Sequence, residues 1–329
     1  MKLFHSLLYP LLGGLFCLSC SDDEQDSGTK QPTTAGEVTF GVDLTGFSTR
    51  VTQDGSSWND GDKIGTYVLD MKTLEPVTEA ANVPYVCSEE GASVSFTSTT
   101  PLKVQNDGTP VKFVAYYPYN ADVRNFNYPV QLAAQERGST ACDLLYAATK
   151  EEYTYSPENE PHISLNFTHR LAKVILKFVN MEKEPLEVSD VRIEGMQTAA
   201  SFNIQTDVLT VDESSVATIN PYHNATTGFY EAIILPSALT DSYKVSFVLD
   251  DREKEWIFTN LDIALPQFHK GYSYTFALYI DDSGFVEMGR LETHQLPGKT
   301  EAVRTERPKV TRLLYQDMPS HLPTARSKH

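Results

Sequence analysis

Residues 272–280 read YSYTFALYI, the cleanest alternation in the chain. Tyr272, Tyr274, Phe276, Leu278 and Ile280 fall on one side of an extended backbone, and Ser273, Thr275, Ala277 and Tyr279 on the other. Asp281-Asp282-Ser283-Gly284 stops the run with turn residues. Just upstream, Tyr243, Val245, Phe247 and Leu249 run into Asp250-Asp251-Arg252-Glu253-Lys254 and return as Trp256 and Phe258, the pattern of a hairpin. Both stretches say strand.

The pattern repeats outward from there. Val38, Phe40, Val42 and Leu44 share a face, as do Val94 with Phe96, and Val111, Phe113, Ala115 and Tyr117 before Pro118. Ile163, Leu165 and Phe167 alternate, then the phase slips after His169 and resumes at Val174, Leu176 and Phe178, which predicts a bulge or bend. Val191 with Ile193, Phe202 with Ile204, and Leu209 with Val211 are shorter. Helical period is weak, and Ala141 to Lys150 is the best candidate for a turn or two of helix. Many short strands separated by turn residues predict an all-β chain built of β-sandwiches. The acidic, proline-containing stretch Glu151 to Pro161 predicts a domain break, with a first sandwich at 37–156 and a second at 157–289.

The N-terminus carries an address. Lys2 and His5 precede an apolar run from Leu7 to Leu18 that is too short to span a bilayer, and Ser19 then meets Cys20. This predicts a lipoprotein signal over 1–19 and lipidation of Cys20, with acyl chains supplying the membrane anchor. Residues 20–36 read as an acidic flexible tether. Its start, Ser21, Asp22, Asp23 and Glu24, resembles the acidic export tag of Bacteroidota surface lipoproteins, which implies the outer face of the outer membrane.

Charge and motif content narrow the chemistry. A net charge of −17 over 329 residues excludes a general nucleic-acid binder. Residues 290–329 hold eight Lys and Arg against four acids, so a basic tail of +4, rich in proline and without period, follows an acidic body. HExxH, GxSxG, P-loop and dinucleotide fingerprints are missing. His162, His169, His223 and His269 are scattered, so no metal site and no cofactor are expected, and no catalytic residue is assigned. Asp54-Gly55 and Asn59-Asp60-Gly61-Asp62 around Trp58 read as tight turns in preference to a calcium loop. Cys87 and Cys142 fit either a disulfide or two free thiols. Tyr116, Tyr117 and Tyr119 about Pro118, with Tyr153 and Tyr155, read mainly as core and strand residues, although such clusters also stack on sugars.

An ordered set of motifs resembles the fimbrillin-like proteins of the Bacteroidota, subunits of type V pili. It comprises Ser48-Thr49-Arg50, Trp58 to Gly65, Phe113 to Tyr119, Asp143 to Ala147, Leu165 to Val174 and Gly271 to Tyr274. The resemblance covers about Glu37 to Ile280. It implies two transthyretin-like β-sandwich domains in tandem and a non-enzymatic pilus subunit or adhesin. It implies cleavage after Arg50 by an Arg-directed protease, which removes the first strand and lets a strand from the next subunit fill the groove. Partners would be other pilin subunits head-to-tail, the outer membrane through lipid, and host or bacterial surface glycans. Tyr272, Tyr274, Phe276, Leu278, Ile280, Phe285, Val286 and Met288 are the donor-strand candidates. The tail at 290–329 has no counterpart in the family and leaves stalk, tip and anchor roles open. Two other readings compete: a lipid-anchored monomeric glycan-binding module, and a glycan hydrolase with an unrecognised carboxylate pair.

Overall fold

The computed structural model describes residues 35–43, 57–78, 81–91, 93–136, 138–158, 160–259, 261, 265–281 and 286–296. Cys20, Ser21 to Glu24, Arg50, Phe285 and the tail beyond Leu296 lie outside the described residues.

The fold is all-β. The first strands are β1 (Ala35–Glu37), β2 (Thr39–Asp43), β3 (Lys63–Asp70), β4 (Val83–Cys87), β5 (Ser93–Thr97) and β6 (Lys103–Gln105). Next come β7 (Val111–Tyr117), β8 (Asn127–Gln131), β9 (Leu145–Ala148), β10 (His162–Leu165) and β11 (Thr168–His169). The later chain forms β12 (Ala172–Asn180), β13 (Ser189–Glu194), β14 (Ala199–Asn203), β15 (Val208–Val211), β16 (Tyr222–Asn224) and β17 (Phe229–Ile234). It ends with β18 (Ser237–Ala238), β19 (Lys244–Leu249), β20 (Arg252–Ile257), β21 (Gln267–Phe268), β22 (Tyr272–Ile280) and β23 (Val286–Gln295).

Eight strands form one sheet in the order β10-β2-β5-β4-β3-β7-β9-β11, bent around a core that includes Phe40, Trp58, Tyr85, Phe96, Phe113 and Phe167. The second core lies between a five-stranded sheet, β16-β17-β12-β22-β23, and a three-stranded one, β13-β19-β20. Phe178, Phe247, Trp256, Phe258 and Phe276 fill it. A third cluster joins the two. Tyr67, Leu69, Val114, Tyr116 and Tyr146, on the outer face of the first sheet, meet Phe202, Ile204 and Ile233 from the later chain. β3 is therefore buried on both faces, and its apolar residues run on without alternating.

The halves also share backbone pairing. β8 from the first half pairs antiparallel with β14, in the sheet β15-β14-β8. Buried Gln135 imitates a strand neighbour of Ile233, accepting from its N–H at 2.8 Å and donating to its carbonyl at 2.7 Å.

Several expectations need adjusting. The hairpin is β19–β20, and both Asp250 and Asp251 hold positive φ, 50° and 59°, as a two-residue reverse turn of mirror type demands. The phase slip after His169 is the passage from the first sheet, through β11, into β12 of the second. The helix expected at 141–150 is instead one 3-10 turn, Ser139–Cys142, followed by β9, because β9 pairs with β7 on one side and β11 on the other. Across the break expected at 151–161, β10 pairs parallel with β2, and Ile163, Leu165 and Phe167 pack in the first core. By core membership the chain divides near Arg170. Cys87 and Cys142 are both free thiols in this structure, which removes the disulfide reading.

Candidate functional site

The site built around the chain's first strands is the slot that holds β2. β2 pairs antiparallel with β5, Phe40 opposite Phe96 and Val42 opposite Val94, and parallel with β10 on its other edge. Both edges of a strand that precedes most of the fold are thus occupied. Val38 and Phe40 are fully buried and Val42 is 1% exposed. The Phe40 ring meets Tyr85 edge-on at 4.8 Å and Phe113 at 5.8 Å between centroids. Main-chain bonds secure the entry, from Val38 N to Leu102 O and from Thr39 N to Pro161 O, each 2.9 Å.

Tyr85 is the key to the slot's floor. Its hydroxyl donates to the Val38 carbonyl at 2.9 Å and accepts from Leu102 N at 2.8 Å. Burial pushes this phenol up to about 12, so it is a protonated donor under all ordinary conditions. A Cβ at Gly41 would stand 2.6 Å from Nε2 of exposed His162, whose Nδ1 lies 3.0 Å from Thr39 Oγ1. The slot is apolar, deep and lined by two strand edges. Chemically it can hold an extended peptide and little else. The Val38-Phe40-Val42 face was legible in the sequence. Tyr85 was missed, because Pro84 and Val86 interrupt the signal left by Val83, Tyr85 and Cys87.

The motifs read as family signatures converge in two places. Trp58 is fully buried and packs edge-on to Phe96, Tyr117 and Phe167, and the turn after it closes when Asn59 N donates to Asp62 Oδ2 at 2.7 Å. The Asn59-to-Asp62 stretch is a tight turn. Burial raises the Asp62 carboxyl above the usual range, against bonds from Asn59 and Tyr117 that lower it. The second place is the junction of the halves. His169 Nδ1 lies 2.8 Å from Asp143 Oδ2, both largely buried. Arg170 donates to both Asp207 oxygens, at 2.5 and 2.9 Å, and stacks over Tyr146 with 4.7 Å to the ring centroid. Arg170, stacked on Tyr146 of β9 and paired with Asp207, ties this edge of the first sheet to the second half.

Among the described residues no group of three or more His, Cys, Asp or Glu could hold a metal ion, and no helix is long and apolar enough to cross a membrane. The donor-strand candidates are dispersed in role. Tyr272, Tyr274, Phe276, Leu278 and Ile280 lie on β22, which is enclosed between β12 and β23 and packs into its own core. That placement argues against 272–280 as a free donor, since both its edges are already paired. Val286 and Met288 lie on β23, at the sheet's edge.

A family model described as fimbrillin-like matches residues 49–293. No curated protein matches the chain. Among solved structures, a candidate cell adhesion protein from Bacteroides uniformis aligns over 80% of this chain and 99% of its own, with a TM-score of 0.65 and 22% identity. Another candidate cell adhesion protein, from Bacteroides ovatus, aligns over 83% of this chain and 100% of its own, with a TM-score of 0.58 and 15% identity. At those identities the likeness speaks to the fold. The family match covers well over half of the sequence, and the chain belongs to the fimbrillin-like family.

Proposed function

We propose that this protein is a cell-surface fimbrial or adhesin subunit, lipid-anchored at Cys20, that joins its neighbours by strand exchange at the β2 slot. The observation carrying this reading is that β2, joined to the rest of the fold through the segment containing Arg50, is hydrogen-bonded along both edges and buries Val38, Phe40 and Val42. The family match begins at Thr49, one residue before Arg50, and so excludes the strand that would be removed. Cleavage after Arg50 would release β1 and β2 and leave the edges of β5 and β10 open over an apolar floor. A strand from a second copy would restore the main-chain bonds and fill the positions of Val38, Phe40 and Val42. The contact is head-to-tail and builds an open filament. Ser21, Asp22, Asp23 and Glu24 would direct the lipidated chain to the outer face of the outer membrane.

The test is to treat purified precursor with an Arg-specific protease and examine it by mass spectrometry and electron microscopy. The expected product begins at Val51 and forms filaments. An Arg50→Ala precursor should form none. Product that begins at Val51 and stays monomeric at high concentration, alone and mixed with other fimbrial subunits, would refute strand exchange. Cys20→Ala should abolish fatty-acid labelling, and persistent labelling would refute the anchor.

A further inference from the structure

A cleft of about 490 Å³ opens at the margin of the third cluster, on the face of β3 and β7 turned away from the β2 slot. Tyr67 forms its floor, Tyr119 and Phe126 its walls, and Asn82, Arg124 and Asn125 its rim. Tyr67 is 3% exposed and packs in the third cluster. A phenol that keeps its proton offers a hydrogen-bond donor to a ligand in the cleft. Burial holds it protonated, up to about 12, with Tyr119 and Arg124 its electrostatic neighbours.

The walls are fixed in advance. Asn125 and Phe126 both adopt positive φ, 50° and 62°, in a reverse turn closed by Asn127 N to Arg124 O at 2.9 Å. A phenylalanine in that region is costly, and it persists only where its surroundings impose it. Here its ring leans on Tyr67, with centroids 4.7 Å apart and planes 43° apart. Opposite, Tyr119 N donates to Lys63 O at 3.0 Å. The Asn120 carbonyl takes bonds from Tyr116 Oη at 3.1 Å and Asn82 Nδ2 at 2.9 Å. Arg124 spends Nη1 on the carbonyls of Ala121 and Val123, 2.6 and 2.9 Å away. Those bonds aim the guanidinium and leave its remaining N–H groups for a ligand.

We infer that this cleft is a carbohydrate site, which receives a pyranose ring between Tyr119 and Phe126 with its hydroxyls toward Tyr67, Asn125 and Arg124. Sugars present an apolar C–H face and a rim of hydroxyls, and aromatic walls with a polar rim complement both. The volume suits one to two rings, within the roughly 300–1,000 Å³ of small-ligand sites. A net charge of −17 disfavours polyanions such as nucleic acid. Walls held by backbone bonds need little ordering on binding. The inference names a ligand for the adhesin reading, but it requires neither cleavage nor polymerisation, because the cleft lies across the sheet from β2.

The experiment uses the uncleaved full chain on an array of mucin-type O-glycans and bacterial capsule oligosaccharides. Titration of the strongest binder by saturation-transfer NMR follows. Tyr119→Ala should weaken binding about tenfold or more, and Tyr67→Phe, which keeps the ring and removes only the donor, roughly fivefold. Tyr67→Phe also guards against a folding artefact, since its unfolding curve should match that of the parent. No bound glycan on the array, or equal affinity in both variants, would overturn the assignment. Loss of filaments with glycan binding intact would leave it standing.

Discussion

If β2 is the plug of a slot, truncating its central side chain should loosen the first core specifically. Phe40→Ala removes a ring that is fully buried between Tyr85 and Phe113. Replacing a core Phe by Ala costs about 3–5 kcal/mol, and the loss depends on how far the walls can collapse. Here collapse is resisted, because Tyr85 is tied to the backbone of Val38 and Leu102. The expected loss is therefore about 4 kcal/mol. Trp58 reports the first core and Trp256 the second, so the measurement belongs in a Trp256→Phe background with Trp58 as sole fluorophore. With a denaturant slope of about 2 kcal/mol per molar urea, the Trp58 transition should move down by about 2 M. A loss under about 1 kcal/mol would refute the reasoning, because it would mean that β2 does not complete the core.

Other consequences are equally direct. Gly65→Ala should cost about 1–3 kcal/mol in urea unfolding, since a Cβ there would collide with the Tyr116 ring and stand 2.7 Å from Asn82 Oδ1; an unchanged midpoint would deny that contact. Gln135→Ala strips the buried N–H and C=O of Ile233 of their partner, and a loss of roughly 2–4 kcal/mol is expected, with faster hydrogen exchange at Ile233 as the local readout. The Asp62 carboxyl is raised by burial, so the folded chain holds that proton to higher pH than the unfolded chain does. Its charged form therefore costs stability as pH climbs through the folded value, and Asp62→Asn should gain relative to the parent from about pH 4 upward in paired urea titrations. A difference that does not vary with pH would remove Asp62 as the source.

What was legible in the sequence was local. The hairpin was readable because Leu249 and Arg252 flank two turn residues, and such a register is set within a few positions. The existence and phase of 272–280 were readable for the same reason, but its central place between parallel β12 and antiparallel β23 depends on partners distant in sequence. Residues 141–150 read as helical from their alanines and leucines, and pairing of β9 on both edges overrode that preference. Beyond Pro157 and Pro161 the chain returns to lay β10 beside β2, a pairing between segments too distant in sequence to be read from either one. The slot was half visible, through the alternation of Val38, Phe40 and Val42. The cleft was invisible, because β3 is buried on both faces and nothing in its run singles out Tyr67.

The same topology constrains which segment could act as a donor in the proposed assembly. Lifting β22 out would expose Tyr274, Phe276, Leu278 and Ile280, each at most 2% exposed. At about 2 kcal/mol per large side chain, that is roughly 8 kcal/mol before any main-chain bond is counted. By the same measure a neighbour's slot returns roughly 6 kcal/mol at the positions of Val38, Phe40 and Val42, so moving β22 gains nothing on balance and dismantles the second core. β23 is placed differently. It pairs on one edge only, with β22, and among its side chains Val286 and Leu291 are the ones known to be buried, at 5% and 8% exposure. Freeing those two side chains costs about half as much by the same measure, and an edge strand leaves without dividing the sheet. Donation, if it uses the C-terminal region, therefore begins after Ile280. Exchanging Val286 and Leu291 for Asp should abolish filaments while leaving the Trp58 transition of the precursor in place. Filaments of normal yield from that double variant would return the search to a segment outside β23.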